Sequence, residues 1–180
     1  MTHENKCQDI EPYISREEIS KRIKELGSEI SKDYGDEQIV VIGVLNGSFL
    51  FCADLIREIS SPVLVEFMGA SSYGDAFESS GNLDITLDLK RSIEGKNVLI
   101  VEDIVDTGLT LTALIENLKL RSPKSLKVCS LLHKPAKTVH QVNIDYLAFE
   151  IEDKFVVGYG LDLLGLCREL PFIGVYRGKI

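Results

Sequence analysis

Runs of apolar residues alternate with amphipathic stretches along the chain, and this pattern predicts strands and helices in turn. SREEISKRIKELGSEISKDYG (15–35) carries apolar residues at the spacing of one helix face, and Ser15 with Glu18 has the pattern of a capping box. Gly35 stands where this helix is expected to end. QIVVIGVLNGS (38–48) is a continuous apolar run, which is typical of a strand buried on both faces. SFLFCADLIREI (48–59) predicts a second helix.

Seven further apolar or alternating runs predict strands. They are VLVEFM (63–68), LDITLDL (83–89), VLIVED (98–103), LKVCSLL (126–132), DYLAFE (145–150), FVVGYG (155–160) and FIGVY (172–176). Strands that alternate with helices predict an α/β fold with a central, mostly parallel sheet flanked by helices. At 180 residues we expect one domain, residues 1–180.

The segment GASSYGDAFESSGN (69–82) interrupts the pattern between two predicted strands. Loops of this length without regular structure are typical of lids, binding loops or insertions. We predict a mobile lid that becomes ordered over bound substrate, and the alternative is a tolerated surface loop.

Composition narrows the class of protein. Hydrophobic residues make up 44% and charged residues 27%, which is ordinary for a soluble globular domain. The net charge of −8 argues against a nucleic-acid partner, because such proteins need a basic surface to neutralise phosphates. No apolar run reaches the length of a membrane span, and the first residues lack the apolar core of a signal peptide. The four cysteines are scattered, so we expect reduced thiols and a cytoplasmic protein without a membrane partner.

The segment VLIVEDIVDTGLTL (98–111) carries the most distinctive chemistry. A buried strand ends in Glu102 and Asp103, and at the carboxyl end of a parallel strand both can reach a ligand crevice. Gly108 permits a turn, and Thr110 suits the N-cap of a helix that continues through LTALIENL (111–118). Backbone N–H groups at such a helix start bind phosphate, while carboxylates bind hydroxyls or a divalent cation. A solvated acidic turn is the alternative interpretation.

Five more segments accompany this one in a familiar order. They are VLNGS (44–48), SSYG (71–74), SLLHKP (130–135), KFVVGYGLD (154–162) and CRELPFIGV (167–175). Together with 98–111 they resemble the type I phosphoribosyltransferases, specifically the hypoxanthine-guanine branch. The resemblance implies the fold of that family, with a small hood formed from the N- and C-terminal segments. It also implies Mg²⁺-dependent transfer of phosphoribose from phosphoribosyl pyrophosphate to hypoxanthine or guanine, which gives IMP or GMP and pyrophosphate in purine salvage.

The resemblance implies a role for each matching residue. The catalytic group would be Asp106, acting at N7 of the purine as general base or charge stabiliser. The 5′-phosphate would be held by Thr107, Gly108, Leu109 and Thr110. The ribose hydroxyls and Mg²⁺ would be held by Glu102 and Asp103, with Asp162 at a second Mg²⁺. The pyrophosphate would be held by Asn46, Gly47 and Arg168, under a lid that contains Ser72 and Tyr73. The base would be bound by Lys134, Phe155 and Val156.

Two departures and two alternatives bear on these expectations. Leu163 stands where many relatives have an aromatic residue, and Cys167 replaces a usual tyrosine, so base preference and local packing stay open. A sibling transferase for xanthine, adenine or a pyrimidine is one alternative, although the ammonium of Lys134 favours a 6-oxo over a 6-amino group because it only donates. A non-catalytic, nucleotide-sensing regulator of the same fold is another. The family also implies a homodimer or homotetramer.

Overall fold

The computed structural model describes residues 9–72 and 83–178, and its centre is a six-stranded sheet. The strands lie in the order β4-β3-β2-β5-β6-β7, and every pair is parallel except β3 with β4. Their bounds are β2 Ile39–Leu45, β3 Val63–Ser72, β4 Leu83–Leu87, β5 Asn97–Val105, β6 Ser125–His133 and β7 Tyr146–Glu150. The predicted α/β class with a mostly parallel sheet is confirmed.

Helices cover both faces of this sheet, as the continuous apolar runs of its inner strands require. The helices are α1 Arg16–Tyr34, α2 Phe49–Glu58 and α3 Leu109–Lys119, with a short 3₁₀ turn at Pro135–Lys137. One apolar core contains α1 and α2 residues, and a second contains the buried leucines of α3. Strands β2 and β5 contribute to both cores, because alternate side chains point to opposite faces.

The ends of α1 follow the predicted local chemistry. The Ser15 side chain accepts a hydrogen bond from the Glu18 backbone N–H, and the Glu18 carboxylate accepts from the Ser15 backbone N–H at 2.8 Å. Gly35 ends the helix with a positive φ of 54°, and its N–H donates to Ser31. The capping box is therefore confirmed.

A second, three-stranded antiparallel sheet joins the two ends of the chain. Its strands are β1 Ile10–Ile14, β8 Val156–Val157 and β9 Ile173–Tyr176, in the order β1-β9-β8. The sequence pattern does not predict β1, because the residues IEPYI do not alternate regularly between apolar and polar. The run 155–160 is predicted as one strand, but only Val156–Val157 forms one, since Gly158 and Gly160 turn the chain with positive φ.

Two other predictions need correction. Strand β3 continues to Ser72 by pairing with β4, so the first residues of the predicted loop 69–82 are strand. Thr110 is not the N-cap of α3: the helix begins at Leu109, and Gly108 is the N-cap in the left-handed conformation. The turn therefore closes two residues earlier than the threonine pattern indicated.

The cysteines only partly follow the expectation of reduced thiols. Cys52 and Cys129 are free and buried in the core, and burial raises the pKa of the Cys52 thiol to about 11. Cys167, however, is disulfide-bonded. Over residues 9–72 and 83–178, no helix has the length and apolar character needed to cross a membrane.

Candidate active site

A cavity of about 330 Å³ opens at the carboxyl ends of the central parallel strands. This is the position at which open α/β sheets bind ligands. It is bounded by the ends of β2 and β5, the start of α3 and the segment that follows β8. The predicted residues that line it are Asn46, Gly47, Glu102, Asp103, Asp106, Thr107, Gly108, Thr110, Asp162 and Arg168. The structure thus brings ten of the sixteen predicted site residues to one cavity.

Glu102 and Asp103 occupy the last part of β5, which continues to Val105 rather than ending at the acids. Successive strand residues point to opposite faces, yet the cavity reaches both carboxylates because it lies across the sheet end. Burial, and next the neighbouring charge of Asp103, raise the pKa of Glu102 well above its ordinary value. A group that binds here and carries positive charge would relieve this repulsion.

The loop from Asp106 to Gly108 joins β5 to α3 and has the geometry of an anion site. Gly108, the N-cap of the helix, has a φ of 82°, and the Leu109 N–H donates to Thr107 Oγ1 at the long distance of 3.4 Å. The first N–H groups of a helix have no partner within the helix, which makes a helix start suited to a phosphate. The segment 139–140 holds this loop in place, because the Thr107 carbonyl accepts hydrogen bonds from the backbone N–H groups of Val139 and His140 at 3.0 and 2.9 Å.

The opposite wall of the cavity is formed by the turn between β2 and α2. The peptide bond between Leu45 and Asn46 is cis. Two other segments approach Gly47 closely. A Cβ built on Gly47 would lie 1.5 Å from Asp103 Oδ2, and a Cβ built on Gly160 would lie 2.0 Å from the Gly47 carbonyl oxygen. Only glycine at both positions permits this approach of three segments.

Arg168 reaches the same wall and is held in place by two contacts. One guanidinium nitrogen donates to the Gly160 carbonyl at 2.6 Å, and another pairs with Asp162 Oδ1 at 2.8 Å. The second Asp162 oxygen accepts the Gly165 backbone N–H at 2.7 Å. Both oxygens of Asp162 therefore already have partners, and Arg168 itself lines the cavity.

Asp106 lies at the side of the cavity nearest to β6. Its Oδ1 is buried and accepts no hydrogen bond from the described residues. Its Oδ2 lies 3.6 Å from the ammonium of Lys134, which is almost completely buried at the end of β6. A buried carboxylate oxygen without a partner is costly, so it is a strong candidate to meet a ligand donor.

Six predicted residues are not among the described residues that line the cavity. Lys134 lies beside it through its contact with Asp106, and Leu109 is the first residue of α3. Val156 is buried and pairs with Val175, whereas Phe155 is 44% exposed and packs edge-on against Tyr176 with ring centroids 6.2 Å apart. Ser72 ends β3, and nothing is described of its side chain. Tyr73 and the remainder of the predicted lid lie outside the described residues.

Three residues of this region were missed by the sequence interpretation: Lys137, Asp153 and Gly160. Gly160 accepts the Arg168 hydrogen bond, and the other two extend the contact between Asp106 and Lys134 into a larger network. The GYG pattern at 158–160 was a usable signal for a special backbone. Lys137 and Asp153 had no such signal, because charged residues in loops are normally solvated.

The two sequence departures lie in the turns that follow β8. Leu163 is buried and bridges to Leu166, so it serves the packing of this segment. Cys167 is also buried and has a φ of 65°, which is unusual for a residue with a side chain. It directly precedes Arg168, but neither departure lines the cavity.

Fold and site together define a class: an α/β protein that binds a phosphorylated, hydroxyl-bearing ligand at the ends of its parallel strands. Residues 13–163 match the phosphoribosyl transferase domain model. The chain belongs to this phosphoribosyltransferase family. It is 47% identical over 173 residues to the hypoxanthine-guanine phosphoribosyltransferase of Bacillus subtilis, covering 96% of both chains. It is 47% identical over 167 residues to the hypoxanthine phosphoribosyltransferase of Escherichia coli, covering 92% of this chain and 94% of the other.

Solved structures agree with the sequence relatives. A crystal structure of a hypoxanthine phosphoribosyltransferase from Staphylococcus aureus superposes with a TM-score of 0.91 at 42% identity, covering 94% of this chain and 92% of that one. The type I phosphoribosyltransferase fold implied by the sequence resemblance is therefore confirmed.

Proposed function

We propose that this protein transfers phosphoribose from phosphoribosyl pyrophosphate to hypoxanthine or guanine, releasing pyrophosphate and giving IMP or GMP for purine salvage. The observation that supports this most is that paired carboxylates, a helix start, an arginine and Asp106 line one cavity. Each of these groups suits one part of the reactants.

The phosphoribosyl donor carries a 5′-phosphate, two ribose hydroxyls and a pyrophosphate. The N–H groups at the start of α3, with the hydroxyls of Thr107 and Thr110, suit the 5′-phosphate. The carboxylates of Glu102 and Asp103 suit the hydroxyls. Arg168 suits the pyrophosphate, because a guanidinium binds phosphate oxygens in bidentate fashion. Asn46 and Gly47 complete that end through their backbone.

The base would enter beside Asp106 and Lys134. As an imidazole nitrogen of the purine bonds to C1′ and the bond from C1′ to pyrophosphate breaks, the base must lose the proton on N7. We assign that proton to the carboxylate of Asp106, whose Oδ1 accepts no hydrogen bond from the described residues. The Lys134 ammonium donates to the neighbouring O6, while Phe155 and Val156 would cover the base. The carboxylates around the sugar also stabilise the positive charge that develops at C1′.

The donor set fits Mg²⁺ at Glu102 and Asp103. The two carboxylates are adjacent, and burial, followed by their mutual repulsion, raises the pKa of Glu102. Mg²⁺ is usually bound through one or two carboxylates together with substrate oxygens and waters, and this pair can supply the carboxylates. Asp162, whose two oxygens each already have one partner, would contact a second Mg²⁺ through water. Bound there, Mg²⁺ would neutralise the pyrophosphate leaving group.

A substrate panel tests the proposal. With phosphoribosyl pyrophosphate and Mg²⁺, hypoxanthine and guanine should react, whereas adenine should not, because its 6-amino group would face the Lys134 ammonium. Two donors in contact lose a hydrogen bond and cost about 1–3 kcal/mol. Efficient adenine turnover would refute the base assignment, and the absence of any nucleotide product would favour a nucleotide-sensing regulator. Xanthine belongs in the panel because Leu163 leaves its ranking open.

The substitution Asp106→Asn tests the catalytic assignment. Asparagine keeps the size of the side chain but cannot accept the N7 proton, so kcat should fall roughly 10²–10⁴-fold with a much smaller change in KM. Single-turnover measurements exclude masking by product release. A nearly normal chemical step would show that Asp106 only shapes the phosphate loop. The cytoplasmic location inferred from the sequence stays a prediction, which cell fractionation checks.

A further inference from the structure

Asp106, Lys134, Lys137 and Asp153 form a closed arrangement of alternating charges, here termed the charge quartet. Lys134 Nζ lies 3.6 Å from Asp106 Oδ2 and 3.7 Å from Asp153 Oδ1. Lys137 Nζ lies 3.8 Å and 3.3 Å from the same two oxygens. Each lysine therefore contacts both carboxylates, and each carboxylate contacts both lysines.

The quartet is built by three separate segments. Asp106 follows the end of β5, and Asp153 lies in the turn between β7 and β8. Lys134 is the N-cap of the 3₁₀ turn Pro135–Lys137, and the Lys137 N–H donates to the Lys134 carbonyl at 3.1 Å. Residues three apart in a 3₁₀ turn lie above one another, so the two ammonium groups share one side.

The four members differ greatly in exposure. The Lys134 side chain is 7% exposed, whereas those of Asp106, Lys137 and Asp153 are 39–49% exposed. An ammonium buried to this degree requires negative partners. Neither of its carboxylates is as near as in a charge-assisted hydrogen bond, about 2.7–2.9 Å. Lys134 is thus held between Asp106 and Asp153 without closing on either.

We infer that Asp153 is a positioning residue for base recognition: it draws the Lys134 ammonium away from Asp106 and holds it where it donates to the 6-oxo group. This inference rests on the proposed function of the site. O6 and N7 lie side by side on one edge of the base. If the Lys134 ammonium and the Asp106 carboxylate paired directly with each other, they could not bind O6 and N7. Base recognition therefore depends on the separation of Lys134 from Asp106.

Removing the Asp153 charge should change which ligands bind, rather than only how stably the chain folds. In Asp153→Asn, Asp106 is the one quartet carboxylate left to Lys134, and the ammonium should close on it. Ligands with a 6-oxo group then lose their donor. Ligands without a group at this position lose nothing, because they never contacted the ammonium.

The matched probes are IMP and the 5′-monophosphate of unsubstituted purine riboside, which lacks the 6-oxo group. Calorimetric titration of both against the wild-type protein gives the reference preference for IMP. Asp153→Asn should weaken IMP roughly tenfold, the effect of one lost hydrogen bond to a charged group, and leave the other nucleotide within about twofold. Asp153→Glu keeps the charge and should restore most of the preference.

Lys137→Gln is the matched control. It also removes one quartet charge of similar exposure, but it leaves Lys134 between its two carboxylates, so the preference for IMP should survive. Thermal unfolding and phosphoribosyl pyrophosphate binding report on the fold of each variant. Equal weakening of both nucleotides by Asp153→Asn, or an unchanged preference, would overturn the inference. A wild-type protein without preference for IMP would overturn the proposed function of Lys134 itself, and the inference with it.

Discussion

Replacing Gly47 with alanine should disable the site by displacing the Asp103 carboxylate. The new Cβ would lie 1.5 Å from Asp103 Oδ2 and 2.4 Å from its Cγ, whereas ordinary contacts begin at 3.4 Å. The carboxylate would therefore have to retreat by about 2 Å, if the backbone stays in place. It is the end of a side chain and can move, so the clash should not unfold the protein.

The expected magnitudes separate function from stability. A misplacement of about 1 Å in a site can cost roughly 10²-fold in rate, so kcat/KM for phosphoribosyl pyrophosphate should fall by at least about that factor. Overpacking of this kind costs roughly 1–3 kcal/mol in the free energy of unfolding. Steady-state kinetics and urea denaturation measure the two quantities on the same protein.

A double-mutant cycle with Asp103→Ala isolates the cause. In that background the clashing carboxylate is absent, so adding Gly47→Ala should cost less than about 0.5 kcal/mol further, and the two losses in stability should not add. Additive losses in stability would show that the alanine strains the loop itself and not Asp103. Wild-type-like kinetics of the single variant would refute the reasoning altogether.

Three further predictions can be tested, two that rest on the geometry of the site and one on the family resemblance. Gly160→Ala should lower the free energy of unfolding, measured with denaturant, by roughly 2–5 kcal/mol. The alanine would be strained at a φ of 102°, and its Cβ would clash with the backbone carbonyl of Gly47. A loss below about 1 kcal/mol would contradict this prediction. Glu102→Gln should raise the free energy of unfolding of the ligand-free protein at neutral pH while weakening binding of phosphoribosyl pyrophosphate with Mg²⁺. The pKa of Glu102 is raised in the folded state, so ionisation of Glu102 opposes folding at pH values above its ordinary pKa. The stability gained by Glu102→Gln, measured in calorimetric scans, should therefore vanish as the pH falls below that ordinary pKa. A gain that is the same at every pH would exclude the ionisation of Glu102 as its cause. Light scattering should show an oligomer, and a single species of 20.0 kDa would rule that out.

Local chemistry was sufficient to predict the elements that carry most of the site. The continuous apolar run of β2 reports burial on both faces, and the capping box of α1 is closed by residues three apart. The strand, acids, glycine and threonines of 98–111 likewise lie within one segment, so their order alone predicted a strand-loop-helix and its phosphate chemistry. The start of α3 was predicted at the wrong residue, because Gly108 and not Thr110 is its N-cap.

Contacts between distant segments were decided only by the tertiary structure. Gly160 meets Gly47, Asp153 meets Lys134, and β1 pairs with β9, yet in each case the partners are separated by long stretches of chain. From the sequence alone, a charged residue such as Asp153 is interpreted as a solvated loop position. Only the strand order shows that it lies beside the buried ammonium of Lys134. Periodicity and capping report the surroundings of a residue along its own element, whereas pairing across elements depends on how the sheet orders its strands.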